Sequence, residues 1–588
     1  MLALVAACGG GSGSAGDPAS VNTTPQAAGP TNAPAAAARF LTQATFGPTT
    51  AEIASLSTST YAAWMDAQFA KPQAFHRATL NQASADLAAT GGTVSATNFF
   101  DSYWSQAIAG DDQLRQRAAF ALSQIFVVSF TDATLRTQPR GVASYYDMLG
   151  ENAFGNFRNL LEGVALHPMM GIYLSHMKNQ KEDATTGRVP DLNFAREITQ
   201  LFTIGQYKLN IDGSAVTAAD GSAAAAYSSA DLSGLSQVFT GWSWYAGPQT
   251  TDRTNSRFFG GNANVERDWR PMQDYNRFTA NTDFHSISAK TFFGVTIPAQ
   301  ALAAADTKGD LKIALDTLFN HPNVGPFVGK QLIQRLVTSN PSPAYVGRVA
   351  AAFNDNGAGA RGDMKAVWKA ILLDTEARTP SAAVGAGKVR EPVVRLANFM
   401  RAFNAKSTSG SFTGIGNTDD PATRLNQTPM VAPTVFNFYR PGYVPSSKPI
   451  ADAGLVAPEF QIVHDVSVAG YMNYMRSLVT VDATRDIQQD YTAELALAAV
   501  PTDLVERMNL LLFYGQMPDA LRTQITAAVT SRAIPAAVYP AAPVPAASAA
   551  SAPPQVATNQ AAIYTAKRDR VYRAVFLSLA SPDYLIQK

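Results

Sequence analysis

The densest run of chemistry-capable side chains lies between residues 191 and 202. Asn193, Arg196, Glu197 and Gln200 stand at i, i+3, i+4 and i+7, a spacing that lines them along one face of a helix. The opposite face carries Leu192, Ala195, Ile198, Leu201 and Phe202. On such a stripe Glu197 can work as a general acid or base, with Arg196 holding an anion or tuning the carboxyl and Asn193 touching substrate. The same stripe can equally be a hydrogen-bond network that locks helices together. Asp231 and His285 are further candidates for proton transfer. Asp231 stands three residues after Ser228, which also suits an N-cap with a first-turn carboxylate. His285 is flanked by Asp283 and Lys290 and can serve as acid, base or ligand. Trp242 and Trp244 can stack on a sugar ring or simply plug a core, and Lys290 and Gln427 are candidate substrate contacts. In the C-terminal half Lys388, Arg390 and Glu391 can reach the same region as Glu197, and Gln427 and Asn437 follow them in the sequence.

Several chemistries lose their main support. The remaining histidines, His76, His167, His176, His321 and His464, form no HExxH or HxH pair, so no metal site is assigned. The stretch from Asn210 to Ser214 lacks the later ligands and closing glutamate of a calcium loop and reads as a turn. GxSxG, GxxxxGK[ST] and strand-linked GxGxxG signatures are missing, so no nucleotide or other cofactor is expected. The net charge of +1 carries no footprint for nucleic acid. Cys8 is the single cysteine, which excludes an intramolecular disulfide.

The elements that must position these residues are mostly helical. Thr49 and Glu52 have the spacing of a capping box, so a short helix is expected there. Leu114, Ala118, Leu122, Ile125 and Phe126 predict a helix over 111–130. Helices are also expected over 191–202 and 228–239, closed by Gly205 and Gly241. Further spans are 309–319, 324–337, 343–354, 362–374, 388–403, a long helix from Pro458 to about Leu478, 486–498, 502–513, 517–531 and 561–579. Residues 240–296 are the exception. They are rich in aromatics and weak in helical periodicity, and short hairpins or an ordered functional loop are expected. Residues 535–558 read as a flexible Ala/Pro insertion. At the N-terminus, residues 1–8 end in small residues and Cys8, which is similar to a truncated lipoprotein signal with Cys8 as the lipidation site. Residues 9–36 follow as a disordered tether, and the folded helical domain is expected over 37–588.

Eight segments together carry a family resemblance. They include AARFLTQATFGPT (37–49), LNFAREITQLFTIG (192–205), DLSGLSQVFTGW (231–242), KVREPVVRLANFMRAF (388–403) and APTVFNFYRPGY (432–443). The chain resembles the bacterial exported family catalogued as domain of unknown function 1800. The resemblance implies a secreted or surface-associated protein and, as a partner, a co-encoded sulfatase-like exported protein. The sequence departs from the family at Gln200, where glutamate is usual, and at Ser286, where aspartate commonly follows the histidine.

The reading is therefore a mostly α, exported protein, lipid-anchored in the bacterial cell envelope. Its membrane contact would run through the lipid anchor alone. The first functional expectation is a hydrolase-like enzyme acting on an extracellular polymer such as a polysaccharide. The alternative is a non-catalytic surface protein that binds a polymer or partner, or an envelope scaffold.

Overall fold

The computed structural model describes residues 33–249, 253–260, 269–276, 283–446, 448–538 and 554–588. Cys8 and nearly all of the predicted tether lie outside them. The described chain is mostly α, with small two-stranded antiparallel sheets as its only ladders among the described residues. A continuous apolar core runs from Ala37 to Tyr584, so elements from both ends of the sequence share it. No described helix is long and apolar enough to cross a membrane.

Local sequence accounts for many of the element ends. Thr49 accepts from the Glu52 N–H while Glu52 accepts from the Thr49 N–H, starting the helix Thr50–Ser57. Ser228 and Asp231 do the same for Ser229–Val238. Several boundaries differ from expectation, and the spans 388–403 and 486–498 each open on a short strand, Lys388–Val389 and Ile487–Gln488, before the helices Pro392–Ala402 and Thr492–Leu497. The first helix begins at Pro34, with proline pre-set for the first turn and Ala37 and Ala38 fully buried. The helix predicted over 111–130 is Gln113–Ser123, because the chain turns to let the Phe130 N–H bond the Met430 carbonyl. The long helix expected from Pro458 splits into a 3-10 turn, Pro458–Ile462, and the helix Asp465–Val479. His464 and Ser467 cap each other reciprocally and start the second piece. The helix expected from 561 starts at Pro554, inside the stretch 535–558 read as a flexible insertion, of which 539–553 lie outside the described residues, and a short helix, Pro582–Leu585, follows it.

In the aromatic-rich segment Trp242–Ser243 pairs with the distant Gln273–Asp274, and Lys290–Phe292 forms one short hairpin with Val295–Ile297. That hairpin lies directly on the helix Ser229–Val238: a Cβ on Gly234 would fall 2.0 Å from the Thr291 carbonyl oxygen. Gly241 takes φ +80°, and a Cβ there would meet the backbone of His285 at 2.9 Å, so only glycine allows that approach. Far along the sequence, Lys388–Val389 pairs with Ile586–Gln587, and the Gln587 amide donates to the Leu336 carbonyl at 2.7 Å. This clasp fixes the start of the helix Pro392–Ala402.

Candidate functional site

The predicted site residues fall into three separate regions. The first is the helix Asn193–Gln200, which packs against Ser229–Val238. Its amphipathic stripe is real: Arg196 is exposed and Asn193 and Gln200 are half-buried. Glu197, however, is 7% exposed, and its Oε2 is buried with no hydrogen-bond partner. Burial pushes the Glu197 carboxyl above its ordinary value, against the opposing pull of Arg196. The Tyr227 hydroxyl donates to Gln200 Oε1 at 3.0 Å beside it. A carboxyl of this kind is held toward its protonated form, as a general acid requires.

The second region contains His285, Lys290 and Asp231. His285 and Lys290 are fully buried and converge on Asp310 Oδ2, at 3.0 and 2.8 Å. The other ring nitrogen of His285 faces the Thr240 carbonyl at 2.9 Å. The Gln300 amide donates to Asp310 Oδ1 at 2.9 Å. Burial works against ionising Asp310, but the bonds from His285 and Lys290 and their charges outweigh it and hold its pKa below the ordinary value. Ser286 donates to Glu182 at 2.9 Å, and Ser288 donates to the same oxygen. A serine at 286 thus bonds a carboxylate that an aspartate would repel. Asp231 closes its capping box and also accepts from the Phe293 N–H at 2.7 Å, clipping the hairpin turn to the helix. Trp242 and Trp244 lie in the core, 2% and 8% exposed, with the Trp242 indole N–H near the Val238 carbonyl and Trp244 against Trp269. The expected stacking face is therefore turned inward. No hydrogen bond or ion pair joins Glu197 to Asp231 or His285 among the described residues.

The third region surrounds Glu391, the residue before Pro392 at a helix N-terminus, where a carboxylate is favoured. Glu391 is fully buried. Its Oε2 accepts from the Gln427 amide at 2.7 Å and from the Gln124 amide. Gln427 also accepts from the Val393 N–H, so both ends of its amide serve the helix start and none faces solvent. Lys388 Nζ lies 2.9 Å from Glu459 and 3.9 Å from Glu391 Oε1. Burial opposes ionisation of Glu391, but Lys388, Arg117, Arg335 and Gln427 together hold its pKa below the ordinary value. Arg390, two residues after Lys388, points elsewhere, over the Tyr584 ring and onto the Leu512 carbonyl.

Sequence reasoning missed Asp310, Glu182, Arg117, Gln124, Arg335, Tyr439 and Glu459. Asp310 had a local signal, an acidic residue in the first turn of Thr307–Asn320. The others are brought in from distant segments. A separate surface cleft of about 560 Å³ is lined by Glu52, Ile108, Arg401, Lys406 and Phe412 among others, and contains none of the predicted residues. Among the described residues no group of three or more His, Cys, Asp or Glu is placed to hold a metal.

The family model described as Protein of unknown function (DUF1800) matches residues 39–586, and the chain belongs to that family. No curated protein and no solved structure matches it.

Proposed function

We propose that this family member is an exported, lipid-anchored hydrolase acting on an extracellular polymer such as a polysaccharide, with Glu197 as its acid/base. The observation that carries the reading is the state of Glu197. It is a nearly buried carboxyl with an unpaired oxygen and a raised pKa, next to the exposed Arg196 on a polar helix face. An unpaired buried oxygen costs about 1–3 kcal/mol, a cost that protonation of the carboxyl or a bound substrate group offsets. Arg196 is free to meet an anionic or polar substrate group at the surface. Asp231 and His285 then support the helix and hairpin behind the stripe and take no part in proton transfer.

The Glu197→Gln variant tests this. Reducing-end release from a panel of glycans should occur with the wild-type chain and fall at least about 100-fold in the variant, the usual weight of a general acid. Binding of the same glycan should be largely kept. Equal turnover in the two would remove Glu197 from the chemistry. Binding with no turnover in either would favour the alternative, a polymer-binding surface protein. That alternative draws on one feature, the exposed Phe436 and Val444, Phe460 in the 3-10 turn, and Val466 and Val468 in the first turn of the helix Asp465–Val479. Mass spectrometry of the native N-terminus tests the anchor, which predicts acylated Cys8.

A further inference from the structure

The surface cleft of about 560 Å³ lies where two helices end. Ala96–Ala109 reaches it with Ile108 and Ala109, and Pro392–Ala402 reaches it with Arg401. Small-molecule sites typically enclose about 300–1,000 Å³, and this cleft falls within that range. Its frame is held by its own bonds. Arg401 is 3% exposed and commits its guanidinium to the frame. It donates to the Gly47 carbonyl at 2.6 Å, to the Ile108 carbonyl at 2.9 Å and to both oxygens of Glu52. One wall is the loop that starts at Lys406–Ser407, and it is gathered onto Asp486. The Ser407 hydroxyl and the Ser409 and Thr413 N–H groups donate to the Asp486 carboxylate at 2.8, 2.6 and 2.8 Å. A site fixed in this way loses little entropy when a ligand enters.

The frame leaves several polar groups over. Asp111 and Asn404 line the cleft and are exposed, and their side chains make no hydrogen bond or ion pair among the described residues. The Lys406 side chain is 70% exposed, and its partner Asp490 stands 3.8 Å off. Ile108, Ala405 and Phe412 add apolar surface to the lining. Asn404 and Phe412 both hold positive φ, +46° and +52°. Such conformations in residues other than glycine cluster at ligand clamps.

We propose that this cleft is a binding site for a neutral saccharide, either a short oligosaccharide or the end of a glycan chain. The charges lining it balance, Glu52 and Asp111 against Arg401 and Lys406, so neither an anion nor a cation is favoured. A sugar hydroxyl both donates and accepts. A carboxylate, an ammonium and an amide around one hollow serve both needs. The C–H face of a pyranose ring covers the apolar part of the lining. The ligand class is that of the proposed substrate, but the inference uses none of the residues around Glu197 and holds whether or not Glu197 performs chemistry.

The test is calorimetric titration of the full chain with neutral oligosaccharides of glucose, mannose and xylose. At least one should bind, with an affinity that changes less than about twofold on raising the salt, since a neutral ligand forms no screened ion pair. Asp111→Ala should weaken that binding roughly tenfold and Asn404→Gly roughly fivefold, the weights of one charged and one neutral hydrogen bond. Both positions are exposed, and glycine accepts the positive φ of Asn404. Binding should persist in Arg196→Ala, which alters only the Glu197 stripe. The proposal is overturned if none of these saccharides binds, or if both cleft variants bind like the wild type. Loss in Arg196→Ala with both cleft variants unaffected places the sugar at the Glu197 stripe and overturns it too. A dipeptide that binds at the cleft where no saccharide does would equally overturn it, giving a zwitterion in place of a sugar.

Discussion

Two buried polar regions of this molecule look alike in composition and differ in how completely they are bonded. Around Asp310, one carboxylate meets one lysine and one histidine, with the Gln300 amide on its second oxygen. Donors and acceptors there are matched. Around Glu391, Lys388 stands between two carboxylates, Glu391 and Glu459, with Arg117 and Arg335 acting on Glu391, and arginine N–H groups and carboxylate oxygens are left open. The difference teaches that a sealed cluster of titratable residues is not by itself a site. A matched cluster locks elements together, whereas one with open donors and acceptors carries an uncompensated desolvation cost.

Acid should break the comparison most severely, because both regions lie in a core that also encloses neutral histidines. Burial is the first cause that pushes His76 and His176 down to about 4 and His167 down to about 3. The unfolded chain takes up their protons near pH 6.5, and the folded chain does not until about pH 4. Stability is therefore lost as pH falls from 6.5 toward 4, by roughly 3 kcal/mol per histidine at most. Denaturant melts across that window check the sign, and a flat profile would contradict the sealed placement.

The Asp310→Ala change is the next largest. It strands the fully buried Lys290 without its carboxylate and should cost about 3–5 kcal/mol of unfolding free energy. The folded pKa of Asp310 lies below 3.8, so its contribution is present above that pH and disappears as pH falls through the folded value. Asp310→Asn should accordingly lose part of the wild-type sensitivity below pH 3.8. Asp231→Ala is smaller. It removes the capping box and the bond to the Phe293 N–H, for about 1 kcal/mol by chemical denaturation. A loss near that of Asp310→Ala would mean that Asp231 does more than cap and clip.

The regular parts of this fold were legible in the sequence because their causes are local. The Thr49–Glu52 and Ser228–Asp231 boxes and the polar stripe of Asn193–Gln200 all follow from short-range spacing. The break at His464 was not legible, because it depends on a histidine acting as a cap inside an otherwise helical pattern. The chemistry around Glu391 was only half visible. Lys388 and Glu391 are near neighbours in sequence. Arg117, Gln124, Arg335 and Tyr439 arrive from other helices and loops, and no periodicity marks that meeting. The inward turn of Trp242 and Trp244 also depended on packing partners such as Trp269 that spacing does not reveal.

The proposed role of Glu197 rests on burial pushing its carboxyl above the ordinary value. Infrared difference titration of the carboxyl band, wild type minus Glu197→Gln, measures this directly. An apparent pKa clearly above the ordinary 4.5 agrees with the structure. A carboxylate already ionised at pH 4 would contradict it.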